Sequence, residues 1–368
     1  MQDLHLPGPC PLPPSVSHAV GGAMINPRGP EFAQLLADCT EPLRRWLQTD
    51  HEILFMAASG TGALEGVVAN LLSPGEPALF CTMGWFGELW ARIATALGAD
   101  VRRLDVPWGQ AISPEALEAA LDCRPSVRTV FLTHSETSTG VRNDLTALAS
   151  VVKARGKLLA IDAISGAPCH RLAIDDLGAD VVALASQKGW LAPPGLAMVV
   201  VSPAALAAAA QGGCGRYYFD FTAQQAQQAH GRTHTTPPLP AMYGLRTGLS
   251  ILEREGREAV WARHQGVAAL VRARATALGL TLFAQDTPSN TVTVIRSPFA
   301  CPSELAAFLE RLRSHYGSVL ADGVGPMQGQ AFRIGHLGAT GYDDVIRLMA
   351  RVQAALADVR AGVDLAAA

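Results

Sequence analysis

The sequence predicts an α/β protein: a large domain with a doubly wound, mostly parallel sheet, followed by a smaller α+β domain. Three observations lead there. From about Gly29 to Gly248, helical periodicity alternates with short apolar runs that end in glycine or polar residues. After that stretch the texture changes to shorter strand-like runs between long helices. The 368 residues allow about two domains at roughly 150 residues each, and 49% apolar against 17% charged residues describes a chain with a sizeable core.

The elements follow in order. Residues 1–15, with their LPGPCPLPPS, read as an extended arm, because proline fixes φ and removes donors. Residues 16–248 read as the large domain. Helix Glu31–Gln48 leads to the apolar run Ile53–Ala58, and a glycine turn opens helix Gly62–Leu72. Strand Ala78–Thr82, helix Phe86–Leu97 and strand Asp100–Leu104 come next. Strand Thr129–Thr133, helix Asp144–Lys153 and strand Lys157–Asp162 continue the alternation, and the runs Ala179–Ala185 and Leu196–Ser202 close it. Gly212–Pro240 shows little regular pattern. Helices Ala241–Glu255 and Ala259–Ala277 lead into residues 249–368, the small domain. There Thr291–Ile295, Ser318–Leu320 and Gln330–Ile334 read as strands, with helices Pro302–His315 and Tyr342–Leu356. The tail AGVDLAAA reads as unpacked.

Composition narrows the function. The net charge is −3 and basic residues are dispersed, so no nucleic-acid partner is expected. Seven cysteines, odd in number and without CxxC spacing, argue against a disulfide framework and against a metal site. The N-terminus has neither a basic nor an apolar leader region. The most apolar stretch, Leu196–Ala210, is broken by Ser202-Pro203 and is too short to span a bilayer. A cytoplasmic protein without a membrane partner is the expectation.

Only three of the 29 basic side chains are lysine: Lys153, Lys157 and Lys188. The first two flank Gly156 at the end of a surface helix, where cations suit the dipole. Lys188 has no such role, and lysine, unlike arginine, can serve as an amine nucleophile. It lies in Ser186-Gln187-Lys188, just after an apolar run, and ligands of doubly wound sheets bind beyond such strand ends. The same rim carries Ser59-Gly60-Thr61-Gly62 before a helix, a natural phosphate cradle. It also carries Asp162 at the end of a buried strand and the donor-rich loop HSETSTG, residues 134–140. A phosphate cradle, a carboxylate and an amine are what pyridoxal 5'-phosphate requires: the carboxylate keeps the pyridine nitrogen protonated, and the amine condenses with the aldehyde. An aromatic residue of Met83–Gly87 could stack on its ring.

With these motifs in place, the chain resembles the class V aminotransferases of pyridoxal-phosphate fold type I. The similarity lies in the branch of alanine– and serine–glyoxylate aminotransferases, with bacterial aspartate aminotransferase-like homologues. SGTGALE, HSETSTG, AIDAISG, SQKGWLAPPG, Thr233 to Pro237 and FRIGHLG occur in that family's order, and the match runs over nearly the whole chain. The resemblance implies that Lys188 is the cofactor lysine and Asp162 the partner of the pyridine nitrogen. It implies that Phe86 stacks on the ring, that Ser59, Gly60 and Thr61 bind the phosphate beside Gln187, and that Thr137 approaches the 3-oxygen. Thr236 would reach the phosphate of the partner subunit in a homodimer with shared sites. Arg333 would bind the substrate α-carboxylate, and Gly8 would lie close to the substrate. Thr233 stands where some relatives carry a tyrosine, Leu89 replaces an arginine, and Asn26-Pro27 precedes Arg28 where relatives often carry histidine.

The expected reaction is transfer of an amino group from alanine, serine or aspartate to a 2-oxo acid such as glyoxylate, pyruvate or 2-oxoglutarate. Three alternatives stand beside it, one of them a catalytically inactive or binding homologue, disfavoured because every cofactor position is present. A cysteine desulfurase-like or lyase activity would want a reactive cysteine on a mobile C-terminal loop, and Cys301, before Pro302 at a helix start, is poorly suited. A nicotinamide oxidoreductase using Gly60 and Gly62 would leave Lys188 and Asp162 unexplained.

Overall fold

A computed structural model describes residues 2–362; most of the tail read as unpacked lies outside the described residues. Seven strands form the main sheet, in the order Glu52–Met56, Ala197–Val201, Val181–Ala185, Leu158–Asp162, Thr129–Thr133, Pro77–Thr82 and Asp100–Asp105. Ala197–Val201 runs antiparallel to both of its neighbours, and the remaining pairs are parallel. The strands are nearly continuous apolar runs because helices cover both faces. Their side chains alternate between two cores: Ile53 and Phe55 join one, Leu54 and Met56 the other. Phe80 and Phe131, in register on adjacent strands, stack with ring centroids 4.1 Å apart, and Trp90 meets Phe131 edge-on at 4.9 Å.

Helix Pro30–Leu47 starts with proline at its first position and buries Phe32, Leu35, Leu36, Cys39, Leu43, Trp46 and Leu47, the spacing of one face. Three helices of eight or more residues were not read from the sequence. Pro114–Asp122 and Pro203–Gln211 are each capped by a serine hydroxyl, Ser113 and Ser202. Phe221–Gln228 occupies the segment expected to lack regular structure; Asp220 caps it and Phe221 is its core anchor. That helix is mostly glutamine and alanine, so its apolar face is too narrow to show as periodicity.

In the small domain Val292–Arg296, Ala331–Gly335 and Ala321–Asp322 form an antiparallel sheet, covered by helices Arg257–Ala277, Pro302–Ser314 and Tyr342–Arg360. The large-domain core includes Leu249, Leu252 and Val260, whereas Val267 and Val271 belong to the small-domain core. The change of core therefore falls within helix Arg257–Ala277, later in the chain than 248. The start of the arm is extended and bonded to the small domain. Asp3–Leu4 pairs in parallel with Ser318–Val319, and the His5 carbonyl accepts from the Gly335 N–H at 2.7 Å. The chain then enters helix Pro14–Val20. All seven cysteines are free. Among the described residues no helix is long and apolar enough to cross a membrane.

Candidate active site

The arm and the loops at the carboxyl ends of the strands meet at Lys188. The Ser186 hydroxyl donates to the Pro193 carbonyl at 2.6 Å and closes the lysine's loop. From the other side, Cys10 donates its N–H to the Gln187 carbonyl (3.1 Å) and its thiol to the Lys188 carbonyl (2.9 Å). The Lys188 Nζ donates to the Pro7 carbonyl at 2.5 Å. Gly8 follows with φ +116°, and a Cβ there would lie 2.6 Å from Nζ, so only glycine lets the arm pass this close.

These groups also feel one another's charge. Burial pushes the Lys188 ammonium down to about 8, against the pull of Cys10 and Asp162 and with the repulsion of Arg333. Burial pushes the Asp162 carboxyl up to about 7; the Ile164 N–H, 3.0 Å from Oδ1, opposes this, and the charge of Glu136 adds to it. Arg333 spends only Nε, which donates to the Asp322 carbonyl at 2.8 Å. Its terminal nitrogens make no hydrogen bond among the described residues.

Two helix starts adjoin this centre. At Gly60–Leu71 the N-cap Ser59 makes no side-chain bond, and the N–H groups of Gly60, Thr61 and Gly62 have no partner among the described residues. Ser59 and Thr61 are exposed, while Gly60 packs against Ile164 and Ala185, next to the strands of Asp162 and Lys188. Helix Trp85–Ala96 is different. Ser138 Oγ accepts from the Trp85 N–H at 2.9 Å, and Glu136 Oε2 accepts from Phe86 and Gly87 at 3.1 Å each. An anion sought by a free helix terminus thus belongs at the first start, since the second is filled.

Phe86 is half-buried, whereas Trp85 lies against Gly325 and under the Arg92 guanidinium, 4.3 Å from its centroid. Thr137 is buried, with no hydrogen bond to its hydroxyl among the described residues. Among the described residues the buried Gln187 Oε1 has no partner, and neither do the hydroxyls of Thr133, at a strand end, and of Thr139 and Ser165. Such unpaired atoms, an open helix start and a lysine parked on a carbonyl suit a phosphate-bearing cofactor. Thr236 is exposed and its side chain unbonded among the described residues, and Thr233 donates to the Thr235 carbonyl at 2.7 Å.

A family model described as Aminotransferase class-V matches residues 16–313. The chain belongs to the class V aminotransferases. It is similar to the L-aspartate–glyoxylate aminotransferase of Paracoccus denitrificans, at 32% identity over 98% of this chain and 93% of that one. A Synechococcus sp. protein named as the small subunit of a soluble hydrogenase is 38% identical over 98% of this chain and 94% of that one. Among solved structures, the alanine–glyoxylate aminotransferase of Nostoc sp. superposes with a TM-score of 0.92 at 27% identity, covering 96% and 95% of the two chains. This aminotransferase therefore has the fold type I architecture and uses pyridoxal 5'-phosphate.

Sequence reading of the aminotransferase missed the Pro7 carbonyl, Cys10 and the individual work of Glu136 and Ser138. A backbone carbonyl leaves no signal in a sequence. Glu136 did leave one: a lone carboxylate in a loop of hydroxyl residues, with Gly84 heading a helix that carries no cap of its own.

Proposed function

We propose that this aminotransferase moves the amino group of alanine, serine or aspartate to glyoxylate, pyruvate or 2-oxoglutarate, as a cytoplasmic homodimer with shared sites. The observation that supports the reading is a buried Lys188 beside Gly8 that feels the charges of both Asp162 and Arg333, the latter with its terminal nitrogens unbonded among the described residues. The open helix start at Ser59, Gly60 and Thr61 would hold the cofactor phosphate, with Gln187 beside it and Thr236 arriving from the second subunit. Asp162 would face the pyridine nitrogen, Thr137 the 3-oxygen and Phe86 the ring. When bound, the cofactor supplies an electron sink for the bonds at the substrate Cα. Arg333 offers two terminal nitrogens to the α-carboxylate, a planar fork that sets the Cα–H bond. Lys188, with its ammonium pushed down to about 8, has a usable fraction of free amine near neutral pH and moves that proton. The Pro7 carbonyl orients its nitrogen.

Desulfurase chemistry finds no support in the cysteines. Cys301 sits at the exposed N-cap of helix Pro302–Ser314, and burial pushes the Cys10 thiol up to about 11, which keeps it protonated. The test is a panel of amino donors against glyoxylate, pyruvate and 2-oxoglutarate, with Arg333→Ala in parallel. Loss of the fork should cost roughly 30- to several-thousand-fold in kcat/KM, for donor and acceptor alike, while cofactor absorbance stays. Sulfide release from cysteine without any oxo-acid-dependent transfer would overturn the reading.

A further inference from the structure

Glu136 is fully buried, and every contact of its carboxylate is with one helix start and one loop. Oε2 takes the N–H groups of Phe86 and Gly87; Oε1 takes the Ser138 N–H at 3.0 Å and its hydroxyl at 2.6 Å. Ser138 in turn accepts from Trp85. The first three N–H groups of helix Trp85–Ala96 are thus satisfied from a loop some fifty residues away. The helix's own N-cap is Gly84, which has no side chain to do it. A Cβ on Gly84 would collide with Ser138 Oγ and come 2.5 Å from Glu136 Cγ, so the glycine is what admits the carboxylate.

Thr137 lies between the two capping residues, and Phe86 is the second residue of the capped helix. We propose that Glu136 is a positioning residue that, with Ser138, joins the Phe86 ring and the Thr137 hydroxyl into one rigid unit facing the cofactor. The proposal rests on the reading of Phe86 and Thr137 given above. A flexible helix start would let the ring tilt, and ordering it at binding would weaken affinity. Charge-assisted bonds to a buried carboxylate are strong enough to prevent that. Burial raises the Glu136 carboxyl, and its four donors offset part of that cost.

Glu136→Gln tests this, because the amide keeps the shape but turns donors toward donors. In the apoprotein, hydrogen exchange at the Phe86 and Gly87 amides should quicken about ten- to a hundredfold, and pyridoxal phosphate should bind about tenfold more weakly, by fluorescence titration. Phe86→Leu should weaken binding as well, and adding Glu136→Gln to it should cost less than Glu136→Gln costs alone, because only the Thr137 share is left to lose. Unchanged exchange, or penalties that multiply, would overturn the proposal. If Glu136→Gln does not fold, Ser138→Ala removes the outer bonds and should show the same pattern at smaller size; unaltered exchange there would count equally against it. Phe86→Leu with wild-type cofactor affinity would instead overturn the reading of Phe86, and with it the purpose assigned to Glu136, while the exchange data would still report the cap.

Discussion

Helices Gly60–Leu71 and Trp85–Ala96 both follow strands of the main sheet, one beginning with Gly60 and the other headed by Gly84, yet they end up opposite in state. The second receives a carboxylate and a hydroxyl from Glu136 and Ser138; the first keeps its N–H groups free. The two buried carboxylates repeat the contrast. Glu136 accepts four hydrogen bonds, Asp162 only the Ile164 N–H. A protein that can finish one helix start and one carboxylate has left the other pair unfinished where a phosphate and a pyridine nitrogen are expected.

The largest effect should come from Lys188→Arg. A guanidinium keeps the charge and cannot act as nucleophile or base, so transamination should fall by at least about 10⁴-fold. If the open helix start carries its share of binding, the variant still takes up the cofactor, now removable by dialysis and no longer fixed by borohydride. In the wild type borohydride should fix it on Lys188; peptide mapping to Lys153 or Lys157 would sink the assignment.

Asp162→Asn should rank next, read as stability against pH. The folded apoprotein holds the Asp162 proton up to about 7, whereas the unfolded carboxyl has lost it near 3.8. Between those values the native state binds more protons, so ionisation removes stability as pH rises and the penalty is constant above. The Asn variant should therefore gain on wild-type apoprotein from about pH 4 to about pH 7, by up to roughly 4 kcal/mol. With cofactor bound, a protonated pyridine nitrogen should favour the carboxylate and erase the gain. A flat difference in denaturant midpoints across that window would remove Asp162 from the comparison.

The contrast also explains what the sequence could show. The sheet was legible because Leu158–Asp162 and Val181–Ala185 are buried on both faces and read as apolar runs. Lys188 and Asp162 were legible because a charged residue at the end of such a run is conspicuous. Phe221–Gln228 was hidden by its glutamines, and Glu136 by working through backbone N–H groups fifty residues away. The roles proposed for Thr236 and Arg333 rest on family resemblance alone; among the described residues the Thr236 side chain has no hydrogen bond that would point to it.

The smallest effect is also the most direct on the two helix starts. An open N-terminus should bind inorganic phosphate weakly, and at ten times its dissociation constant phosphate should stabilise the apoprotein by about 1.4 kcal/mol. Ser59→Asp would give Gly60–Leu71 what Glu136 gives Trp85–Ala96, a carboxylate at the helix start. The apoprotein should then gain roughly 0.5–1 kcal/mol from the cap, lose the response to phosphate, and bind pyridoxal phosphate about a hundredfold more weakly through like-charge repulsion. Stability and affinity move in opposite directions here, which general damage to the fold cannot imitate. Should Ser59→Asp leave both phosphate stabilisation and cofactor affinity intact, the anion binds elsewhere and the open helix start is only a turn.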